Sequence, residues 1–226
     1  MAIISDTHNN HRSLLRMPED ADNADILLHC GDATNRGCTV AWEDLDAWMG
    51  EVPVQHRLLV PGNHDVTLDD ESWYFQNRWR FHDEVQRAPE FRNVTLLRNR
   101  GISCCGLNIY GFPQVPPHHD WAFGAGPAEM ERLLSCIPEN VDVLATHGPP
   151  TGSKRARTDD GEDIGCAQLA QFLRNRKDLL LHCFGHVHSG YGRSKGQELL
   201  SINAAMCNSK MRADKRTPFY VDFVEI

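Results

Sequence analysis

Short apolar segments alternate with stretches of helical periodicity along the chain, and this alternation limits the possible folds more than any other feature. Apolar runs of this length are typical of buried strands. A helix is predicted for residues 39–49, where the spacing is roughly that of one buried face formed by Val40, Trp42, Leu45 and Trp48. Strands that alternate with helices usually form an α/β core. The sequence therefore predicts an α/β fold, and residues 1–226 are expected to form a single domain.

The positions of the predicted elements follow from this periodicity and from the turn residues between them. Strands are predicted at residues 2–5, 26–29, 57–60, 94–97, 104–112, 141–146 and 179–184. Antiparallel strands within residues 190–207 and 219–226 are expected to complete the sheet. Helices are predicted at residues 11–17, 39–49, 69–89, 128–136 and 165–176.

Polar clusters stand directly after several of these strands. In chain order they contain Asp6 and His8, then Asp32, then Asn63 and His64, then His147, and finally His186 and His188. Each cluster alone is common, since a Gly-Asp pair after a strand is usually only a turn. Ligands bind at the carboxyl ends of strands in open α/β sheets. The succession of clusters therefore predicts one polar site along one edge of the fold.

The motifs ISDTH, CGD, PGNHD, THGPP and FGHVH together resemble the calcineurin-like metallophosphoesterase superfamily, whose pattern is D-x-H, G-D, G-N-H-D/E, H and G-H-x-H. HDWAF, GHVHSGYG, INAA and PFYVDF are similar to the metallophosphoesterase-domain-containing subfamily, which is related to class III cyclic-nucleotide phosphodiesterases. The resemblance spans Asp6 to His188. It implies a four-layer α/β/β/α sandwich with a metal site at the carboxyl ends of the strands.

The same resemblance implies two divalent metal ions. Asp6, His8, Asp32 and His188 would hold the first metal, and Asp32, Asn63, His147 and His186 the second. Asp32 would bridge the two, because a carboxylate has two oxygens. Oxygen donors combined with imidazoles suit manganese, the first expectation, and also iron, zinc, cobalt or nickel, more than calcium.

The residues that follow Asn63 predict the acid of the reaction. In a two-metal site, a water between the metals becomes a hydroxide nucleophile. His64 is expected to donate a proton to the leaving group, and Asp65 to orient His64 and favour its charged form. The predicted substrates are small phosphodiesters, cyclic nucleotides among them.

Three alternative functions stay open at this point. The first is a phosphomonoesterase or protein phosphatase. The second is a nuclease, which the formal charge of -8 disfavours because nucleic acid is itself negative. The third is a nucleotide-binding protein with a decayed site, which is disfavoured because every position of the motifs carries its expected residue.

Two further sets of residues are expected to surround the metals. The loop PQVPPHHDWAFGAGP is rich in turn residues yet carries aromatic side chains, and it is predicted to contact substrate through His118, His119, Trp121 and Phe123. Asn203 is expected to support the G-H-x-H ligands from behind. His29 and His182 lie inside predicted strands and are expected to be core or supporting residues.

Composition bears on location and partners. The eight cysteines form no C-x-x-C pair and several lie in apolar segments, which favours free thiols in the cytoplasm. The apolar runs are too short to cross a membrane, and the first residues do not fit a signal peptide. The sequence leaves the oligomeric state open. Because the first strand is short, we also expect weak placement of Asp6 and His8.

Overall fold

The structure is a computed structural model that describes residues 1–14, 24–70, 89–195 and 199–224. Its first sheet has the strand order β11-β1-β2-β3-β4. The strands of this sheet are β1 (Ala2–Ile4), β2 (Ile26–His29), β3 (His56–Leu59), β4 (Thr95–Leu96) and β11 (Phe219–Tyr220). β1 to β4 run parallel to one another, and β11 closes the edge beside β1 in the antiparallel direction.

The second sheet has the strand order β5-β6-β7-β8-β10-β9. Its strands are β5 (Arg100–Cys104), β6 (Leu107–Phe112), β7 (Val143–Thr146), β8 (Leu181–Phe184), β9 (Gly192–Lys195) and β10 (Leu200–Asn203). The four central strands are parallel, while β5 and β9 are antiparallel edges. The parallel strands of both sheets give the fold two sets of carboxyl ends.

Helices cover the outer face of each sheet. They are α1 (His11–Leu14), α2 (Thr39–Glu51), α3 (Pro127–Leu134) and α4 (Ala167–Asn175). Trp42 and Leu45 of α2 pack in one apolar cluster with the outer face of the first sheet. Val40, expected on the same face, is instead 73% exposed. Met130 of α3 and Leu169 of α4 pack in another cluster with the outer face of the second sheet. Pro127 begins α3, in the position where its missing N–H has no consequence.

The central apolar core lies between the two sheets. Ile3 and Leu28 from the first sheet share one cluster with Val143 and Leu181 from the second. Ile4, the next residue after Ile3, belongs instead to the cluster beneath α2, as the two-residue period of a strand requires. The layers are therefore α/β/β/α, and the predicted fold class is confirmed.

Two sequence expectations about strands are wrong. The strand predicted at residues 104–112 is interrupted by a hairpin turn, because Cys105 and Gly106 have φ angles of 50° and 76°. The first strand is also not weakly held, since β1 pairs on both sides and Asp6 and His8 are buried.

The other predicted elements occur within a few residues of their expected positions. Residues 15–17 of the first predicted helix and residues 71–88 of the third lie outside the described part of the chain. All eight cysteines are free thiols, five of them buried. Within the described residues, no helix is both long and apolar enough to span a bilayer.

Candidate metal centre

The ends of five parallel strands bring the predicted ligands together at one edge of the molecule. Asp6, His8 and His188 form one group, and Asp32, His147 and His186 form a second. Within each group the possible ligand atoms lie within 4.8 Å of one another. β1, β2 and β3 belong to the first sheet, while β7 and β8 belong to the second, so the site spans the seam between the sheets.

Asp32 lies between the two groups. Its Oδ2 is 3.8 Å from His8 Nε2 in the first group, and its Oδ1 is 3.3 Å from His147 Nε2 in the second. The side chain is almost fully buried. Each oxygen of one carboxylate therefore faces a different imidazole, which is the arrangement that a bridging residue requires.

Asn63 joins the second group. Its Oδ1 lies 2.9 Å from His147 Nε2. The backbone N–H of the next residue, His64, donates to Asp32 Oδ1 at 2.8 Å. The turn after β3 is thus held to the turn after β2 by the same residues that supply the candidate ligands.

The backbone at these turns has unusual geometry. Asp6, His8, Asp32 and His186 have φ angles of 52°, 44°, 52° and 65°. Residues other than glycine enter this left-handed region at an energetic cost, and such residues cluster at functional sites. Candidate ligands from three separate strand ends share this feature, which supports a functional reason for it.

The glycines of the motifs leave space for ligands from neighbouring strands. A Cβ atom on Gly62 would overlap Asp32, and a Cβ atom on Gly185 would overlap the Asp6 carboxylate and Ser5. Each of these two glycines therefore accommodates a side chain that comes from another motif. This explains why the turns can approach closely enough to form one site.

Two histidines are oriented by backbone carbonyl groups. His147 Nδ1 lies 2.9 Å from Cys30 O, and His188 Nδ1 lies 2.6 Å from Asn208 O. A carbonyl oxygen can only accept, so Nδ1 carries the proton in both rings. Nε2 is then the nitrogen that would bind a metal, which would displace any proton held there.

Asn203 supports the turn that carries His186 and His188, as predicted. Its Nδ2 donates to Gly185 O at 3.3 Å and to Val187 O at 2.9 Å. Its Oδ1 accepts from the N–H of Ala205 at 3.0 Å. The carboxamide therefore holds the backbone on both sides of His186.

Sequence reasoning missed Arg216, which supports the same turn from the C-terminal segment. Its Nη1 donates to His188 O, Ala205 O and Cys207 O at 2.7–2.8 Å. These partners lie 9 to 28 residues before Arg216, and no local motif surrounds the arginine. No signal in the sequence could have identified this role.

The charges of the site fit bound cations. Asp6 and Asp32 are buried, and in the described part of the chain their only ion-pair partners are histidines. Burial opposes ionisation of Asp6, but His188 outweighs it and lowers the pKa of Asp6 to about 2. Burial likewise opposes charge on His147, but Asp32 outweighs it and raises the pKa of His147 to about 9.

Burial outweighs the nearby carboxylates at two other candidate ligands. It lowers the pKa of His186 to about 4 and also lowers the pKa of His8. These imidazoles are therefore neutral at pH 7 and able to donate a lone pair. Among the described residues, His8 Nδ1 is buried without a hydrogen-bond partner, and His8 Nε2 lies 3.1 Å from His188 Nε2. Carboxylates and neutral imidazoles in this arrangement are a suitable donor set for divalent metals.

His64 lies beside the first group. Its ring centroid is 4.9 Å from that of His8 and 4.1 Å from the ring of Trp121, with a 34° angle between the planes of His64 and Trp121. His64 Nδ1 is 3.0 Å from Asn35 O and therefore carries a proton. The ring is thus held from one side by a carbonyl and from the other by an indole, and Nε2 is its remaining polar atom.

The predicted role of Asp65 is wrong. Its oxygens accept from the N–H groups of Gly62 at 2.9 Å, Thr34 at 3.0 Å and Ala33 at 3.3 Å, and from the Thr34 hydroxyl at 2.9 Å. Burial, and then the charge of Asp32, raise the pKa of Asp65 to about 6. Asp65 therefore ties together the turns after β2 and β3, and the backbone of Asn35 orients His64 in its place.

The four residues predicted to contact substrate lie in different surroundings. Trp121 stacks on His64. Phe123 is only 4% exposed and belongs to the apolar cluster beneath α2, although part of it lines a cleft beside this loop. His118 and His119 are exposed, and their ring centroids are 4.2 Å apart. His119 also lines this cleft.

Comparison with known proteins relates these features to a family. The family model for calcineurin-like phosphoesterases matches residues 1–190. Human metallophosphoesterase domain-containing protein 1 is 31% identical over 217 residues, which cover 90% of this chain and 65% of that protein. The chain thus spans slightly less than two thirds of the human protein. A UPF0046 protein of Caenorhabditis elegans is also 31% identical, with 93% of this chain and 76% of that protein covered.

More distant comparisons agree on the fold. A protein of Nostoc sp. named as a 3′,5′-cyclic-nucleotide phosphodiesterase is 23% identical over 85% of this chain and 66% of its own length. A solved structure from Thermus thermophilus has a TM-score of 0.60 at 12% identity, and covers 89% of this chain and 87% of that one. By the extent of the family match, by its similarity to these relatives and by its two-sheet fold, this chain belongs to the calcineurin-like phosphoesterase family.

Proposed function

We propose that this protein is a metal-dependent phosphodiesterase that hydrolyses small phosphodiesters, including cyclic nucleotides. The observation that carries the proposal is the position of Asp32, whose two oxygens face one imidazole from each candidate ligand group. Two divalent cations would be held there, with manganese proposed first and iron, zinc, cobalt or nickel as alternatives.

Seven side chains would hold these cations. Asp6, His8 and His188 would bind one, His147, His186 and Asn63 the other, and Asp32 both. When bound, such a pair acidifies a water molecule and stabilises the negative charge of the transition state on the phosphoryl oxygens. The protein supplies buried carboxylates, oriented imidazoles and a rigid set of turns.

His64 would supply the proton that the leaving oxygen needs. The Asn35 carbonyl keeps a proton on Nδ1, so Nε2 is the nitrogen that gains and loses one during the reaction. In the protonated ring, Nε2–H is the donor. As the bond from phosphorus to the leaving oxygen breaks, this proton passes to that oxygen, and His64 is left neutral.

Two observations favour phosphodiesters over phosphomonoesters as substrates. The similarity to the Nostoc protein, which is named as a cyclic-nucleotide phosphodiesterase, favours diesters. The presence of His64 beside the ligand groups also favours substrates whose leaving group is a poor one, such as a sugar hydroxyl, because these depend most on protonation.

The test is hydrolysis by protein that has been stripped of metal and then reconstituted with manganese. Bis-p-nitrophenyl phosphate, p-nitrophenyl phosphate, 2′,3′-cyclic AMP and 3′,5′-cyclic AMP are compared in parallel. We expect turnover of the diesters only after metal is added. Preference for the monoester would replace the proposal with a phosphomonoesterase. If two metals bind and no substrate is hydrolysed, the chain is better described as a nucleotide-binding protein.

A further inference from the structure

A cleft of about 460 Å³ lies beside the loop at residues 113–125 and is lined in part by His119 and Trp121. Its volume is within the range of small-molecule sites. Six of its lining residues, five with polar side chains and one with an indole, come from the segment after β4, the segment after β6, the loop itself and α3. They are Arg98, Asn99, Gln114, His119, Trp121 and Arg132.

Trp121 connects this cleft to the candidate metal centre. The indole lines the cleft and also stacks on His64, with 4.1 Å between the ring centroids. The next residue is fixed to the ligand turn, because Ala122 N–H donates to Asn63 O at 3.2 Å. Trp121 is therefore the wall that the cleft shares with the acid of the proposed reaction.

Two carboxamides in the cleft wall lack partners. In the part of the chain that the structure describes, Asn99 Oδ1 and Gln114 Oε1 are buried atoms without a hydrogen bond. Buried polar atoms in native proteins nearly always have a partner, so an exception asks for an explanation. Both residues line the cleft, and rotation of either amide toward it would let a ligand with hydrogen-bonding edges supply the missing partner.

We infer that this cleft receives the nucleoside part of the substrate, with a heterocyclic base between Trp121 and the carboxamides of Asn99 and Gln114. The inference rests on the proposed function, because it places the leaving oxygen next to His64. A general acid must lie within hydrogen-bonding distance of the oxygen that it protonates. The group that carries this oxygen then extends past His64 towards Trp121.

The charges of the cleft favour a neutral group over a second phosphate. Arg98 lies 3.0 Å from Asp70 and 3.5 Å from Asp69, and Arg132 lies 3.9 Å from Glu129. Both guanidinium groups therefore already have carboxylate partners. An aromatic wall opposite amide groups suits a flat ring with donors and acceptors at its edge, whereas an acyl chain would leave the amides unsatisfied.

A binding measurement tests the cleft independently of hydrolysis. Adenosine and guanosine carry no phosphate to interact with metal, so their binding reports on the cleft alone, with ribose as the control probe. We expect isothermal titration to detect either nucleoside, and Gln114→Leu to weaken binding about three- to tenfold, the usual effect of one lost hydrogen bond. Gln168→Leu, at an equally half-buried glutamine on α4, should leave binding unchanged.

Kinetics provide the second arm of the test. Gln114→Leu should raise KM for 3′,5′-cyclic AMP by a similar factor and leave bis-p-nitrophenyl phosphate within about twofold of the parent. Equal losses on both substrates, or none on either, would overturn the inference. If the protein hydrolyses bis-p-nitrophenyl phosphate but binds no nucleoside, the inference about the cleft is wrong and the proposed function stands. Nucleoside binding by protein that hydrolyses none of the substrates would support a nucleoside site in the cleft and overturn the proposed function.

Discussion

The turns that carry the candidate ligands and the loop at residues 113–125 are built in different ways. Each ligand turn follows a parallel strand, is buried, and is fixed by hydrogen bonds to turns from other strands. The loop is anchored at Ala122 and Phe123, while His118 and His119 are exposed. The candidate ligands are therefore positioned by the core of the fold, whereas the residues proposed to contact the substrate lie in a less constrained loop.

The largest effect is expected from the residue that joins the two ligand groups. Asp32→Asn removes a charge that faces both His8 and His147. We expect loss of at least one bound metal per chain and a fall in kcat/KM on the order of 10³-fold or more, since the metals stabilise the charge of the transition state. Metal analysis and hydrolysis of bis-p-nitrophenyl phosphate provide the measurement.

Asp178→Asn is the matched control, because Asp178 is exposed and its ion-pair partner among the described residues is Arg176. It should retain both metals and full activity. If Asp32→Asn behaved like this control, the two ligand groups would not act as one centre.

His64→Gln should slow hydrolysis of substrates with poor leaving groups more than of those with good ones, and it should leave metal content unchanged. The Gln side chain retains hydrogen-bonding capacity but cannot donate a proton to an oxyanion in the way that a charged imidazole does. We expect kcat/KM for 3′,5′-cyclic AMP to fall by about 10²-fold or more, and by less than about tenfold for nitrophenyl esters, whose leaving groups need little protonation. A uniform loss on both substrate types, at unchanged metal content, would remove His64 from the acid role.

Gly185→Ala tests the close approach of the turns. The added Cβ would overlap the Asp6 carboxylate and Ser5, both fully buried. We expect a loss of about 1–3 kcal/mol in the free energy of unfolding and weaker binding of one metal. Gly126→Ala is the control, since a Cβ there meets nothing within 4 Å. Urea denaturation of both variants measures the effect, and equal stability would show that the turns can separate without loss.

Much of the site could be predicted from the sequence because each motif follows a strand. Once β1, β2, β3, β7 and β8 are known to be parallel within their sheets, their carboxyl ends must converge. The motif glycines could be recognised but not explained, since the side chain that occupies the space beside each one comes from a distant segment. Gly31, for example, is packed against His147.

The errors have a common physical cause. Asp65 follows His64 in the chain, but the turn at residues 62–65 directs its carboxylate back to Gly62 N–H and to Thr34. Phe123 and Trp121 are separated by one residue in a loop with no regular period, so no pattern shows which of them is buried. Arg216 supports the turn at His188 through contacts with carbonyl groups 9 to 28 residues earlier in the chain. Side-chain direction in irregular segments is set by tertiary packing, which the sequence alone does not reveal.

The core behind the ligand turns predicts a dependence of stability on pH. His182 is fully buried with its Nε2 2.9 Å from Thr146 Oγ1, and burial lowers its pKa to about 3. The unfolded chain binds a proton at this histidine near pH 6.5 and the folded chain does not. Stability is therefore lost as pH falls below about 6.5, by about 2 kcal/mol between pH 7.5 and pH 5 from this residue.

His182→Gln keeps a partner for Thr146 but cannot take up the proton. Urea denaturation of metal-free protein at the two pH values should show a change in stability that is smaller by about 2 kcal/mol in the variant than in the parent. An equal change in both proteins would mean that His182 takes up a proton in the folded state as well.

The smallest effects are expected in the loop, and they sharpen the contrast with the ligand turns. His118→Ala and His119→Ala remove exposed rings and should each change the free energy of unfolding by no more than about 0.5 kcal/mol. Both should leave hydrolysis of bis-p-nitrophenyl phosphate within about twofold, because neither ring is placed among the candidate ligands. His119 lines the cleft and His118 is not among its lining residues. Only His119→Ala should therefore raise KM for 3′,5′-cyclic AMP, and an equal rise in His118→Ala would mean that the whole loop tip contacts the substrate.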